Sequence, residues 1–195
     1  MKELYIYGAS GHGKVIFDVA SSLDYKILGF IDDTKGGKFL GQKIYKPAEL
    51  PKSANIFLAI GDNKHRKELS QKLGNSFSFP SLIHPSATIS SSATIKTGTC
   101  IMPNVVVNSC AKIGEFCILN TACVIEHDCV IGNFTHIGGN SYLAGNVKVG
   151  NECFLGFNSG VRQGLKIADG VTLGAGAVTV KDLNEKKVYI GVPAK

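Results

Sequence analysis

The chain has 195 residues, 44% of them hydrophobic and 18% charged, with a formal net charge of +6. This is a globular composition rather than a disordered one, and the length suits two small domains. There is no basic run of the kind that binds nucleic acid, and no apolar stretch approaches the roughly 18 residues of a membrane span, so the mild positive excess suits small anionic ligands or ordinary solvated charge.

Met1-Lys2-Glu3 leads straight into a short strand rather than a signal sequence, so the expected location is cytoplasmic. Leu4 to Tyr7 reads as a strand and Gly8-Ala9-Ser10-Gly11-His12-Gly13 as a loop. Val15, Ile16, Val19, Ala20 and Leu23 then recur at helical spacing. Such a loop can aim backbone N–H groups at a phosphate lying on the helix N-terminus. Its spacing, G-x-x-G-x-G, departs from the dinucleotide fingerprint G-x-G-x-x-G, and a plain strand-to-helix turn explains it equally well. A second strand, Lys26 to Ile31, ends in Asp32-Asp33, a place where acidic side chains commonly accept hydrogen bonds from a ribose or base. Lys35 to Lys52 is polar and irregular, with room for a short hairpin and a turn. Ala54 to Ile60 gives a third buried strand, followed by Gly61-Asp62-Asn63 and a helix with Lys64, His65 and Arg66 in its first turn. Three strand ends thus converge on one crevice. Residues 1–80 are enough for one nucleotide and too few for a two-halved dinucleotide fold.

From Ile83 to Leu173 an aliphatic residue returns at every sixth position. Helices repeat near 3.6 and simple strands at two, so this period marks a solenoid. Four positions after each aliphatic residue comes a second, mostly small one, from Ala87 through Cys117, Cys123, Cys129 and Cys153 to Ala177. Each hexad is then a short strand and a corner, and three hexads close one triangular coil. Gly, Asn and Asp crowd the corners, as in Gly132-Asn133, Gly145-Asn146 and Gly150-Asn151, where a sharp turn calls for positive φ. Residues 81–195 therefore read as a parallel β-helix of stacked coils. Cys117, Cys123, Cys129 and Cys153 sit in the inward small slot as reduced, packed thiols. Cys100 and Cys110 fall outside it, and no pair has CxxC spacing.

Ile125-Glu126-His127-Asp128-Cys129 places a histidine on a corner between two carboxylates, and His136 follows nine residues later, half a coil away. A histidine hydrogen-bonded to a carboxylate is a competent general base, although solvated corner histidines are common.

Taken together, Y-I-Y-G-A-S-G-H-G, F-I-D-D, A-I-G-D-N, the unbroken hexads, L-N-T-A-C-V-I-E-H-D-C-V-I-G and the terminal G-V-P-A-K resemble the sugar acyltransferases of the NeuD family, sialic-acid O-acetyltransferases and their relatives. Within it they are most similar to the bacillosamine-pathway N-acetyltransferases. The resemblance covers essentially the whole chain, and the E-H-D-C segment behind a glycine-loop domain is its specific part. It implies an N-terminal α/β Rossmann-like parallel sheet and a C-terminal left-handed parallel β-helix, a departure from the right-handed crossover rule. It also implies acetyl transfer from acetyl-CoA to the C4 amine of a UDP-linked 4-amino-4,6-dideoxy sugar by direct attack.

By the same resemblance His127 is the base, and Asp128 orients it with Glu126 as the rival orienter. Asn120 and His136 line the acetyl and sugar site, and the Gly145 N–H faces the thioester carbonyl. Ser10 and His12 contact sugar or diphosphate, Asp33 the uracil beside Asp32, and Asp62, Asn63 and Arg66 rim the nucleotide site. Coenzyme A lies between neighbouring prisms of a homotrimer, against Phe157, Gly174, Ala175 and the tail from Gly191 to Lys195, which also reads as a cap. Three other readings compete. The acceptor could be a sugar hydroxyl, as in sialic-acid O-acetylation, and a single histidine serves both. A zinc hydratase on the same fold needs three converging histidines, but beyond His127 and His136 the coils hold only His84, more than two coils away. A nucleotide-sugar sensor needs no base at all.

Overall fold

The computed structural model describes residues 2–195. Strands β1 (Glu3–Tyr7), β2 (Lys26–Ile31), β3 (Lys38–Phe39), β4 (Gln42–Tyr45) and β5 (Ile56–Leu58) form one sheet in the order β3-β4-β2-β1-β5. All pairs are parallel except the β3/β4 hairpin. Helix α1 (Gly11–Ser21) buries Ile16, Val19 and Ala20 against Phe30, while α2 (Asn63–Leu73) buries Leu69 beside Tyr7, Ile31 and Leu58 on the other side. Gly13 lets α1 approach its own strand, since a Cβ there would lie 2.1 Å from the Gly8 carbonyl oxygen.

From Leu82 onward two-residue strands stack in three parallel sheets of seven, six and five strands. The first face runs from Leu82–Ile83 to Val188–Tyr189, the second from Thr88–Ile89 to Val178–Thr179, and the third from Thr94–Ile95 to Lys166–Ile167. Strand residues pair with those eighteen positions on, as Val106 does with Val124 and Lys112 with Val130, until the last rung, where Thr172 pairs with Val188. The aliphatic series and the small slots fill the interior: Ile101, Ile137, Leu143 and Leu155 are fully buried together with Cys117, Cys123, Cys129 and Cys153. The small slots also donate hydrogen bonds. Along one edge Thr99, Cys117, Thr135 and Cys153 in turn reach the carbonyl fifteen residues ahead, at 2.9, 3.1, 2.8 and 3.1 Å.

The corners correct the sequence reading of the glycines. Positive φ recurs at every sixth residue from Gly98 to Gly176, but ten of these fourteen positions hold non-glycine residues such as Phe116, Asp128 and Phe134. Gly132 and Gly150 stand two residues earlier in the hexad and lie outside that region. What they provide is clearance for stacking: a Cβ on Gly132 would meet the Gly150 carbonyl carbon at 2.5 Å. The tail folds back as a cap, with Ala194 N–H donating to Val178 and Lys195 exchanging two backbone bonds with Ile190.

The sheet domain sits on the first face and on the edge between the third and first faces. Leu82, Cys100 and Ile118 point outward from the first face and are nonetheless buried. Cys100 is therefore a fifth inaccessible thiol, contrary to what its place outside the small slot suggested. Phe79, Phe116 and Phe134 form an aromatic column along the joint, the last two stacked at 5.2 Å with planes 1° apart.

Candidate active site

His127 stands on the edge between the second and third faces, in the αL corner that carries Asp128 at φ 61°. The imidazole Nδ1 and Asp128 Oδ2 are 2.8 Å apart, with both side chains more than half exposed. A carboxylate only accepts, so this contact places the proton on Nδ1 and leaves Nε2 as a free base. Gly145 lies one coil below and makes room for the ring: a Cβ there would sit 2.5 Å from Nε2. The Gly145 N–H makes no hydrogen bond among the described residues. Glu126 is committed elsewhere, accepting from Asn108 Nδ2 and Tyr142 Oη at 2.9 Å each, so the geometry favours Asp128 as the orienting group.

In the glycine loop Ser10 is the N-cap of α1 but makes no capping bond, and its hydroxyl is exposed. The first turn of α1 carries no acidic residue to compete with an anion. Asp32 cannot serve a ligand freely. Its carboxylate accepts from Ala9 N, Thr34 N, Thr34 Oγ1 and Lys35 N, and these bonds hold it ionised against the opposing effect of burial. Asp33 accepts one bond, from the buried Tyr7 hydroxyl at 2.8 Å, and remains otherwise open. The Lys35 ammonium, not singled out from sequence, rests on the Ala9 carbonyl and puts a cation over the loop.

The three residues expected on the nucleotide rim gather at the start of α2, where they bond within the chain while Asp62 and Asn63 also line an open cleft. Asp62 is the N-cap, accepting from His65 N at 2.7 Å. Arg66 is 1% exposed, and its guanidinium donates to the carbonyls of Ile60, Gly61, Phe116 and Phe134 and to Asn63 Oδ1. Asn63 Nδ2 in turn donates to the Cys153 carbonyl at 2.8 Å. No side-chain carboxylate pairs with Arg66 among the described residues, and burial draws its pKa down to about 10. Sequence gave one usable hint of this joint: large aromatic residues at Phe116 and Phe134, eighteen apart, on corners that would otherwise be solvated.

Beside that joint lies a cleft of about 600 Å³ lined by Gly61, Asp62, Asn63, Lys64, His136, Glu152, Phe154, Gly170, Thr172 and Lys186. His136 projects from the first face, meets Asn120 Nδ2 through Nε2 at 3.2 Å and packs edge-on against Phe154 at 5.2 Å. Burial, with the Arg66 charge behind it, pushes the His136 and His12 imidazoles down to about 4, so both are neutral at pH 7. Phe157, 68% exposed, shares the edge between the first and second faces with Gly174 and Ala175. Lys195 is exposed at the capped end.

A single chain therefore leaves the candidate groups apart. His127 and Gly145 occupy one edge, His136 and the sheet domain the opposite face, and Phe157 a second edge. Half a coil of separation takes His136 to the far side of the prism from His127. Among the described residues no group of three His, Cys, Asp or Glu side chains is placed to hold a metal ion. Burial also raises the thiols of Cys117 and Cys153 to about 11, which leaves them poor nucleophiles.

A glycine-loop sheet domain seated on a hexapeptide β-helix, with a histidine held by a carboxylate on a free edge, defines a class of sugar acyltransferase. The model for the PglD N-terminal domain matches residues 3–73, and that for the GMPPB C-terminal domain matches residues 77–188. A GDP-perosamine N-acetyltransferase from Caulobacter crescentus, solved as a histidine-to-alanine variant with CoA and GDP-perosamine, is 34% identical. It covers 100% of this chain and 96% of its own, with a TM-score of 0.93. The acetyltransferase domain of PglB from Neisseria gonorrhoeae, solved with acetyl coenzyme A, is 35% identical, covering 100% and 98%, with a TM-score of 0.94. The UDP-N-acetylbacillosamine N-acetyltransferase of Bacillus subtilis is 37% identical over 112 residues, 52% of this chain and 52% of that protein, so the match spans about half the length of this curated relative. The chain belongs to the PglD-like family of sugar N-acetyltransferases, and its column is the left-handed β-helix of that family.

Proposed function

We propose that the protein transfers the acetyl group of acetyl-CoA to the C4 amine of a UDP-linked 4-amino-4,6-dideoxy sugar, with His127 as general base. The observation that carries this reading is the 2.8 Å His127–Asp128 contact on an edge cleared by Gly145. With Nδ1–H given to Asp128, Nε2 takes a proton from the amine as its nitrogen attacks the thioester carbonyl. The new N–C bond forms, the C–S bond breaks, and the imidazolium returns its proton to the departing sulfur. The uncommitted Gly145 N–H is the donor for the oxyanion; losing one such donor typically costs about 3 kcal/mol. In this reading residues 1–80 hold the nucleotide sugar, with Ser10, His12 and Lys35 at the diphosphate and Asp33 at the base.

The separation of these groups within one chain supports a homotrimer with acetyl-CoA between adjacent columns. The His127 edge of one copy then meets the Phe157 edge and first face of the next, a head-to-tail contact that closes as a ring. The names of the relatives, N-acetyltransferases of nucleotide-linked amino sugars, favour an amine over a hydroxyl acceptor. The test is thiol release from acetyl-CoA with UDP-, GDP- and dTDP-linked 4-amino sugars and with free sialic acid. Turnover with the UDP-linked amine is expected. Silence with every amino sugar, alongside activity on sialic acid, rejects the proposal.

A further inference from the structure

The two carboxylates at the end of β2 differ in what they have left to offer. Asp32 accepts four bonds, from its own turn and from Ala9, whereas Asp33 accepts one, at Oδ2, and leaves Oδ1 open. Neither nearby ammonium pairs with the Asp33 carboxylate. Lys35 Nζ donates to the Ala9 carbonyl, and Lys46 Nζ donates to the carbonyls of Asp33 and Lys35 at 3.1 and 2.8 Å, which ties down the turn that carries Asp33. The one donor on its side chain is Tyr7, the last residue of β1, 2% exposed and 2.8 Å away. Burial and the bond to Asp33 both hold the proton on the phenol, so Tyr7 stays a donor throughout the neutral range.

A carboxylate with one oxygen taken can tell bases apart by their Watson–Crick edges. Uracil and thymine offer a single imino N–H between two carbonyls. Oδ1 accepts that N–H, and the Tyr7 hydroxyl on Oδ2 offsets the repulsion this oxygen would exert on the adjacent carbonyl. Guanine offers two N–H donors side by side, which call for both carboxylate oxygens, and one of these already serves a buried hydroxyl. Cytosine sets a bare ring nitrogen against Oδ1, lone pair against lone pair. We propose that Tyr7 is a positioning residue that makes Asp33 the reader of one imino N–H, so that the bound nucleotide is a uridine or thymidine diphosphate. The inference rests on residues 1–80 being the nucleotide-sugar domain, and it deepens that reading by naming the residue that chooses the base.

The experiment measures Kd for UDP, dTDP, GDP and CDP by calorimetry on the full chain, without acetyl-CoA, in the unmodified protein, Tyr7→Phe and Asp33→Asn. The unmodified chain should bind UDP or dTDP about tenfold or more tightly than GDP and CDP, and the tighter of the two names the nucleotide. Tyr7→Phe frees Oδ2, so the gap between that nucleotide and GDP should close by about tenfold; a merely structural Tyr7 would weaken all four alike. In Asp33→Asn, Tyr7 donates to the amide oxygen and turns the NH₂ toward the base, so the preference should pass to CDP, whose ring nitrogen accepts. GDP bound as tightly as UDP and dTDP by the unmodified chain overturns the proposal. So does a Tyr7→Phe protein that melts normally and keeps its pyrimidine-to-GDP ratio within about threefold. Should Tyr7→Phe fail to fold, Asp33→Asn decides, and a continued preference for UDP or dTDP over CDP overturns the proposal. No binding of any nucleotide overturns both this inference and the nucleotide-sugar reading, whereas binding as expected without acetyl transfer to any amino sugar rejects the reaction and leaves the choice of base standing.

Discussion

Gly145→Ala isolates the geometry of the catalytic edge from its chemistry, because it removes no functional group. The added methyl would lie 2.5 Å from His127 Nε2 and 2.7 Å from Cε1. Carbon contacts are comfortable at about 3.5 Å, so the ring must retreat by about 1 Å. The 2.8 Å bond to Asp128 cannot follow that movement without breaking or rotating. A misplacement of about 1 Å at a reacting group costs roughly 100-fold in rate, or about 2.7 kcal/mol. Folding should hardly notice, since the clash is with the end of an exposed side chain and Gly145 lies outside the left-handed region. The assay is thiol release at saturating and limiting acetyl-CoA, beside thermal melting and UDP binding. A loss of about 100-fold in kcat/KM with unchanged melting is expected. Turnover within threefold of the unmodified chain refutes the placement of His127 at the reacting centre.

Asp128→Asn keeps an acceptor beside Nδ1 and removes the charge that stabilises the imidazolium; kcat should fall roughly 10- to 100-fold, with little change in melting because the pair is exposed. Arg66→Met leaves buried carbonyls at Ile60, Phe116 and Phe134 without donors, so chemical denaturation should show a loss of about 3 kcal/mol, with the sheet domain released first. His12 and His136 predict an acid limb in stability. Their folded pKa values, about 4, lie below the ordinary 6.5, so the unfolded chain binds the extra protons between those values. Stability is then complete above pH 6.5 and falls as pH drops toward 4, by roughly 3 kcal/mol per group at most. The melting temperature should decline over that window in the unmodified chain, and less steeply in His136→Asn.

The column was legible in the sequence because an inward residue must recur wherever a strand turns the same corner, and Ile83 to Leu173 never breaks that rule. His127 stood out for the opposite reason, as chemistry on a surface otherwise built of turns. The N-terminal elements followed from short-range pattern, and the structure moves their ends by a residue or two, as at β5. Beyond the aromatic pair Phe116 and Phe134, the joint was not legible. Arg66 reaches Phe116 and Phe134, and Asn63 reaches Cys153, across 50 to 90 residues of chain, and such contacts leave no local spacing. The same blindness made Cys100 look accessible, since only the neighbouring domain covers it. Asp32 shows the same limit on a smaller scale: its place at a strand end was legible, but the bonds it accepts from the backbone N–H groups of Thr34 and Lys35 were not.

The repeat of eighteen residues also works as a vernier on which a lineage can slide parts. Adding or deleting one whole coil would displace everything downstream by about 4.8 Å along the axis while leaving each residue on its own side of the triangle. An indel of six would instead rotate the downstream part onto the next side, tearing His136 from beneath the sheet domain and His127 from its rim. Length variation among descendants of this gene should therefore come in multiples of eighteen between the sheet domain and these two histidines.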